Sequence, residues 1–299
     1  MKKIGILFGE ETEFPQAFVE RINKTKQLKL SAEYVNVNKI ITEDKSNYSV
    51  IIDRVSDLIP FYQAFLKHQV LKGTSVINNP FLLSTIDQFS NLTLASKLQI
   101  PVPKTVILPS KVRPEGTNEN SFTNLDFPLD WEGIFTYIGF PAQLKLNRNN
   151  PVHNFIYELE NIEDFFRAYA DSKENVMILQ SKVVLQNFYR FYCIDKNVSV
   201  LQFDPNEPNN VNYVQDSGKT EKKLITKMEK YALSFNEALG LNINIIEFGV
   251  NSDTIYATNL FNPVPKIDIN SVGERLFEWF VDNSVNLAVN RAKKVKLNT

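Results

Sequence analysis

One acid stands inside an otherwise apolar run. Glu247 interrupts the segment Ile243–Val250, and Asn259-Leu-Phe-Asn262-Pro263 follows with two amides before a proline. A glutamate on one strand and amides at the exit of its partner would supply hard oxygen donors. Mg²⁺ prefers such donors when it bridges nucleotide phosphates. Glu247, Asn259 and Asn262 are therefore candidate metal ligands. The same residues also suit a hydrogen-bonded interior glutamate followed by an Asn-Pro turn, and spacing alone leaves both readings open.

Such donors need rigid elements to aim them. Ile243–Val250 reads as a strand, Asn251-Ser252-Asp253 as a tight turn and Thr254–Leu260 as the returning strand of a β-hairpin. A second hairpin, Phe188–Ile194 with Val198–Asp204, carries Arg190. Gly139–Leu146 is expected as a strand with Lys145 near its end. A turn at Asn147-Arg148-Asn149-Asn150 and a partner strand at Phe155–Leu159 follow it. Val176–Lys182 is a further strand bearing Gln180 and Lys182. Helices are expected at Trp131–Tyr137, at Ile162–Ser172 behind a capping-box-like Asn161, at Thr220–Leu239 with Gly240 as C-cap, and at Val272–Ala292.

The first part of the chain has a different rhythm. Strands at Lys3–Phe8, Ser31–Val37, Tyr48–Val55 and Ser75–Asn78 alternate with helices at Thr12–Asn23 and Asp57–Leu71, which indicates a parallel α/β sheet. Gly5, Gly9 and Gly73 make no dinucleotide fingerprint. Arg54, at a strand's C-terminal end, could face a ligand or form a surface salt bridge. Asn78-Asn79-Pro80-Phe81 marks a boundary. Beyond it come a helix at Ser84–Leu98 that includes Asp87, a strand at Thr105–Leu108 and a polar surface interval at Pro109–Asp130.

Bulk properties exclude several classes. The 299 residues suffice for two or three packed units, and 43% hydrophobic with 22% charged residues is ordinary globular composition. A net charge of -1 gives no bulk attraction for nucleic acid. Two histidines argue against a His-rich metal site or a Ser-His triad, and the single Cys193 fits a reducing compartment. No apolar run reaches the length of about 18 residues that a membrane span needs, and Ile4–Phe8 is too short for a signal peptide. The expectation is a soluble cytoplasmic protein with neither a nucleic-acid nor a membrane partner.

Taken in order, the motifs form a set. They are Asn79-Pro80-Phe81 with Asp87, Pro101-Val-Pro-Lys-Thr105, Gly139-Phe-Pro-Ala-Gln-Leu-Lys145, Gln180, Arg190, Leu239-Gly240, Glu247-Phe248 and Asn262-Pro263-Val-Pro265. This set resembles the ATP-grasp superfamily, especially carboxylate–amine ligase-like members similar to glutathione synthetase and the RimK-type ligases. The resemblance covers nearly the whole chain. It implies an ATP-grasp fold, α/β overall: a pre-ATP-grasp α/β domain at 1–85, then α+β lobes at 86–183 and 184–299 that clasp ATP. It also implies ATP and Mg²⁺ as cofactors, phosphoryl transfer to a small-molecule or peptide carboxylate, and attack on the acylphosphate by an amine or thiol. By the same resemblance Lys145 binds phosphate, and Gln180 with its strand neighbour Lys182 lines the adenine pocket. Arg190 serves the phosphates or the substrate carboxylate. Glu247 and Asn262 coordinate metal.

The departures from the pattern all remove function from the nucleotide site. The family's Asp-Lys pair reads Asp87-Gln88, and its glycine-rich loop reads Arg148-Asn149-Asn150. Acids are replaced by Asn259 and Asn242, and an arginine by Asn212. Amides are weaker Mg²⁺ ligands than carboxylates, and side chains in a phosphate loop hinder the approach of backbone N–H groups. Two functions stay open: an ATP-dependent ligase with an altered site, or a degenerate pseudoenzyme acting as a binding or partner subunit. A second copy or an ATP-grasp paralogue are candidate partners.

Overall fold

Val50-Ile-Ile-Asp53 is buried at every position, the pattern of a strand covered on both faces. It is the third strand of a parallel sheet in the computed structural model, which describes residues 2–25, 29–56, 59–83, 86–148, 155–207 and 222–295. The elements of this first part are β1 (Lys2–Leu7), α1 (Glu13–Lys24), β2 (Leu30–Tyr34), β3 (Val50–Asp53), α2 (Pro60–Leu71), β4 (Ser75–Ile77) and α3 (Pro80–Leu83). The sheet order is β2-β1-β3-β4. β3 is shorter than its apolar run suggests because the Asp53 carboxylate accepts the N–H groups of Val55 and Ser56, which turns the chain.

Next come α4 (Gln88–Lys97), β5 (Thr105–Leu108), α5 (Trp131–Ile138), β6 (Ala142–Leu146), β7 (Ile156–Leu159), α6 (Ile162–Asp171) and β8 (Met177–Ser181). Their antiparallel sheet runs β5-β8-β6-β7. The chain then forms β9 (Asn187–Ile194), β10 (Asn197–Phe203), α7 (Lys222–Leu239), β11 (Ile243–Asn251), β12 (Thr254–Asn259), α8 (Ile269–Val272) and α9 (Glu274–Lys294). Its sheet, also antiparallel, runs β10-β9-β11-β12.

Three expectations change. The helix expected at Ser84–Leu98 begins at Gln88, because Asp87 is its N-cap and accepts from Ser90 N at 2.8 Å; Ser84 and Thr85 lie outside the described residues. The helix expected at Val272–Ala292 begins at Glu274 instead, because Gly273, where φ is +76°, separates it from the short α8. The polar interval 109–130 contains a 3₁₀ turn at Glu119–Phe122, started by Asn118, whose side chain accepts Asn120 N.

Two compact units result: Met1–Thr85 together with Gln186–Thr299, and Ile86–Leu185. In the larger unit one core joins the parallel sheet, α1, α9 and one face of the β9–β11 pair, through Ile4, Phe14, Ile52, Ile194, Ile243 and Phe280. Phe14 and Phe280 meet edge to face at 5.3 Å. The other face of the β9–β11 pair packs on α7, with Tyr231, Phe248 and Phe191 in ring contact. In the smaller unit α5 and α6 cover one sheet face, and Trp131, Phe135, Phe165 and Tyr169 are the aromatic core.

Phe280 is fully buried. Phe280→Ala should remove roughly 3–5 kcal/mol from the larger unit. Each unit holds one tryptophan, Trp279 and Trp131. In urea unfolding of single-tryptophan versions, the Trp279 transition should move to lower denaturant and the Trp131 transition should stay in place.

Candidate functional site

The smaller unit's sheet has one apolar and one polar face. Along β6, Ala142, Leu144 and Leu146 enter the core, so Gln143 and Lys145 must project from the opposite face. There Lys145 Nζ donates to Gln180 Oε1 at 2.8 Å, Gln180 Nε2 donates to Thr105 Oγ1 at 2.8 Å, and Thr105 Oγ1 donates to the Pro103 carbonyl at 2.9 Å. This relay fixes the Gln180 amide, which is itself buried. Desolvation lowers the Lys145 ammonium to about 8, and among the described residues no carboxylate offsets that effect.

Lys182 belongs to a separate group. Its Nζ sits 2.8 Å from Glu158 Oε2, and Gln143 Nε2 donates to Glu158 Oε1 at 2.6 Å. Hydrogen bonding from Lys182 lowers the Glu158 pKa, and Glu158 raises that of Lys182. Both side chains are about half exposed, so the pair is a weak surface interaction. Asp87 is occupied as the α4 cap, accepting from both N and Oγ of Ser90. Asn147 completes that end of α4: its carbonyl accepts Gln88 N at 2.8 Å and its Oδ1 accepts Phe89 N at 2.9 Å. Arg148 follows, while Asn149, Asn150, Asn212 and the start of the helix expected from Thr220 lie outside the described residues.

In the larger unit, Arg190, Glu247 and Asn259 stand side by side on β9, β11 and β12. The pairing of β11 with β12 shifts after Glu247, so Phe248 faces Ala257 and Thr258 is left over as a bulge. That extra residue brings the Asn259 side chain, rather than that of Thr258, opposite Glu247. Arg190 Nε donates to Glu247 Oε1 at 2.6 Å, and its guanidinium lies 4.4 Å from the centre of the Phe203 ring. The Arg190 and Glu247 side chains are 20% and 19% exposed. Asn259 Oδ1 accepts Phe261 N at 3.2 Å as the strand ends. Asn262 is held by its backbone: its N–H donates to Asn244 Oδ1 at 2.8 Å and its carbonyl accepts Ile245 N at 2.9 Å. The Asn244 amide in turn donates to Asn236 Oδ1 and to the Leu260 carbonyl.

Among the described residues, no group of three or more His, Cys, Asp or Glu side chains could cage a metal. One carboxylate with two amides instead fits a Mg²⁺ ion that keeps waters and arrives on phosphate oxygens. Cys193 is buried and its thiol is pushed up to about 12, so it is not a nucleophile.

No protein-family model matches the chain, and no curated protein matches its sequence. Solved structures match it closely in shape. A RimK domain ATP-grasp protein from Sphaerobacter thermophilus is 15% identical over 98% of this chain and 99% of its own, with a TM-score of 0.62. A D-alanine–D-alanine ligase from Bacillus anthracis complexed with ATP is 12% identical over 99% and 98%, with a TM-score of 0.66. The ATP-grasp ligase PsnB, complexed with minimal precursor, Mg and ADP, is 12% identical over 97% and 98%, with a TM-score of 0.60. The chain has the ATP-grasp fold.

Sequence reading overlooked Gln143, Glu158, Thr105 and Asn244 as members of these polar groups. The first carried a signal: the alternation Gln143-Leu144-Lys145-Leu146 puts Gln143 on the same face as Lys145. The other three are joined to their partners by strand pairing, which no local pattern encodes.

The lowered Lys145 pKa makes stability pH-dependent. With about 8 in the folded state against 10.5 when unperturbed, the unfolded chain binds more protons between those values. Stability should therefore rise with pH across that window, by at most about 1.4 kcal/mol per pH unit from this group, and the penalty is fully present below it. The difference in urea-unfolding free energy between wild type and Lys145→Met should shift in favour of wild type as pH rises through the window. A difference that stays constant would contradict the assignment.

Proposed function

We propose that this protein is an ATP-dependent ligase of the ATP-grasp type that activates a carboxylate by phosphoryl transfer. The observation that carries this reading is Lys145: a desolvated cation with no counter-charge among the described residues disfavours the fold unless an anion completes it. A phosphate is the anion that the fold's known ligands would supply, since the solved neighbours include complexes with ATP and with Mg and ADP. In this reading residues 1–85 form the preceding α/β domain, and 86–183 with 184–299 form the two lobes. A small-molecule carboxylate and a peptide both remain within the substrate class, and the cytoplasm is the proposed compartment.

Phosphoryl transfer asks the protein chiefly for position and charge. Lys145 would hold phosphate oxygens, oriented by Gln180 and Thr105. Glu247 would hold Mg²⁺, with Asn259 and Asn262 as neutral co-ligands. The ion, when bound, would neutralise charge on the β- and γ-phosphate oxygens. Arg190 aims the Glu247 carboxylate, and its planar fork suits a carboxylate or phosphate.

One observation favours the second reading, a pseudoenzyme. Glu247 already pairs with Arg190, and Asn259 Oδ1 already accepts a backbone N–H. A site satisfied internally in this way has less attraction left for Mg²⁺.

Calorimetric titration of ATP, with and without Mg²⁺, separates the two. Wild type should bind Mg·ATP, and Glu247→Gln should lose the Mg²⁺ dependence while keeping its circular dichroism. Asn259→Asp should tighten Mg·ATP binding by about tenfold, equivalent to ~1.4 kcal/mol, and should not help without metal, because two adjacent carboxylates repel. No binding by wild type or Asn259→Asp would establish the pseudoenzyme reading.

A further inference from the structure

Two adjacent parallel strands of the larger unit end in a polar residue whose side chain reaches away from its own sheet. Arg54 directly follows β3, and Asn78 directly follows β4. Both are buried, with Arg54 7% and Asn78 2% exposed. Asn78 is saturated: its Oδ1 accepts Asn242 N at 2.8 Å and Ile243 N at 3.1 Å, and its Nδ2 donates to the carbonyls of Ile243 at 2.7 Å and Pro263 at 3.4 Å. Arg54 holds Glu11 with two nitrogens, at 2.9 and 2.7 Å, and its Nη2 also donates to the Pro265 carbonyl. Its guanidinium lies 4.9 Å from the Phe14 ring centre, and Nη1 is buried without a partner.

The two recipients, Pro263 and Pro265, flank Val264 immediately after Asn262. A segment with proline at alternate positions lacks the N–H groups to continue a strand ladder. Its carbonyls still need donors, and two of them find these in side chains supplied from the opposite end of the sequence. Apolar anchors close both ends, since Leu260 and Ile267 are buried.

We infer that Arg54 and Asn78 are positioning residues for Asn262: by gripping the Pro263 and Pro265 carbonyls they set where the Asn262 amide points. The inference rests on the proposed role of Asn262 in holding Mg²⁺. Both side chains are taken up by protein groups, so neither would itself be a ligand of the metal. They act as outer-shell partners act in other metal sites, by fixing the direction of a ligand.

The probe is Mn²⁺, followed by electron paramagnetic resonance, with a non-hydrolysable ATP analogue. The variants are Asn78→Asp, which keeps the acceptor but removes the donor to Ile243 and Pro263; Arg54→Lys, which keeps the charge beside Glu11 but shortens the reach to Pro265; and Glu11→Gln, which weakens the buried ion pair and leaves the Pro265 contact. Asn78→Asp and Arg54→Lys should each weaken Mn²⁺ in the ternary complex by roughly 10–100-fold, while metal-free nucleotide affinity holds. Amide hydrogen exchange in the 259–268 stretch should quicken in both. Glu11→Gln should lower the thermal midpoint and leave Mn²⁺ affinity and local exchange unchanged. Unaltered Mn²⁺ affinity in the first two variants overturns the inference. So does a parallel loss in all three that also affects metal-free nucleotide. If wild type binds no Mn·nucleotide, the proposed function fails, and exchange alone decides the grip: faster exchange supports it and unchanged exchange removes it.

Discussion

The bond between Arg190 and Glu247 is the constraint around which the larger unit is arranged. A carboxylate four-fifths removed from solvent needs an opposite charge, and a strand partner is the nearest place to put one. Register then becomes exacting. On the same face, Tyr192 and Ile194 of β9 oppose Ile245 and Ile243 of β11 within the shared core. A slip of either strand by one residue would turn its two apolar residues and its charge to the α7 side. The bulge at Thr258 and the two-residue turn at Ser252-Asp253 let β12 deliver an amide to the same row without disturbing the pairing behind it.

The smaller unit solves a different problem. Its polar face carries a lysine with an amide and a hydroxyl behind it and, among the described residues, no acid bonded to it. A neutral relay orients the ammonium while leaving its charge available, whereas a carboxylate would have spent it. The acid on that face, Glu158, is instead occupied by Gln143 and Lys182 near the sheet edge. The two units thus treat charge in opposite ways, compensated around Glu247 and uncompensated at Lys145.

Much of this was legible in the sequence wherever the cause is local. An apolar, β-branched run and a polar turn marked the β11–β12 hairpin, and helical spacing marked α7, because such patterns are read residue by residue. Glu247 stood out because an acid in an apolar strand demands a reason. Asp87 was noticed, yet its capping role was missed although Ser90 sits at the spacing a cap requires. Gly273, which sets the start of the last helix, was also in plain view. Asn78 and Arg54 are a different case: they read as a boundary and a strand end because the carbonyls they hold are more than 160 residues away in sequence. Side chains that bond across such separations leave no periodic trace.

The position of α9 bears on how the chain comes into being. This helix, made from Glu274–Lys294, covers the core that α1, β1 and β3 begin. Leu276, Phe280 and Ala288 occupy places next to side chains synthesised some 270 residues earlier. The first sheet's share of this core is therefore completed only by segments made much later, the β9–β11 pair and then α9. The smaller unit has all its core residues within one continuous stretch and can finish folding first. Synthesis and folding thus run out of step: the parallel sheet is made before the smaller unit and completes its core after it.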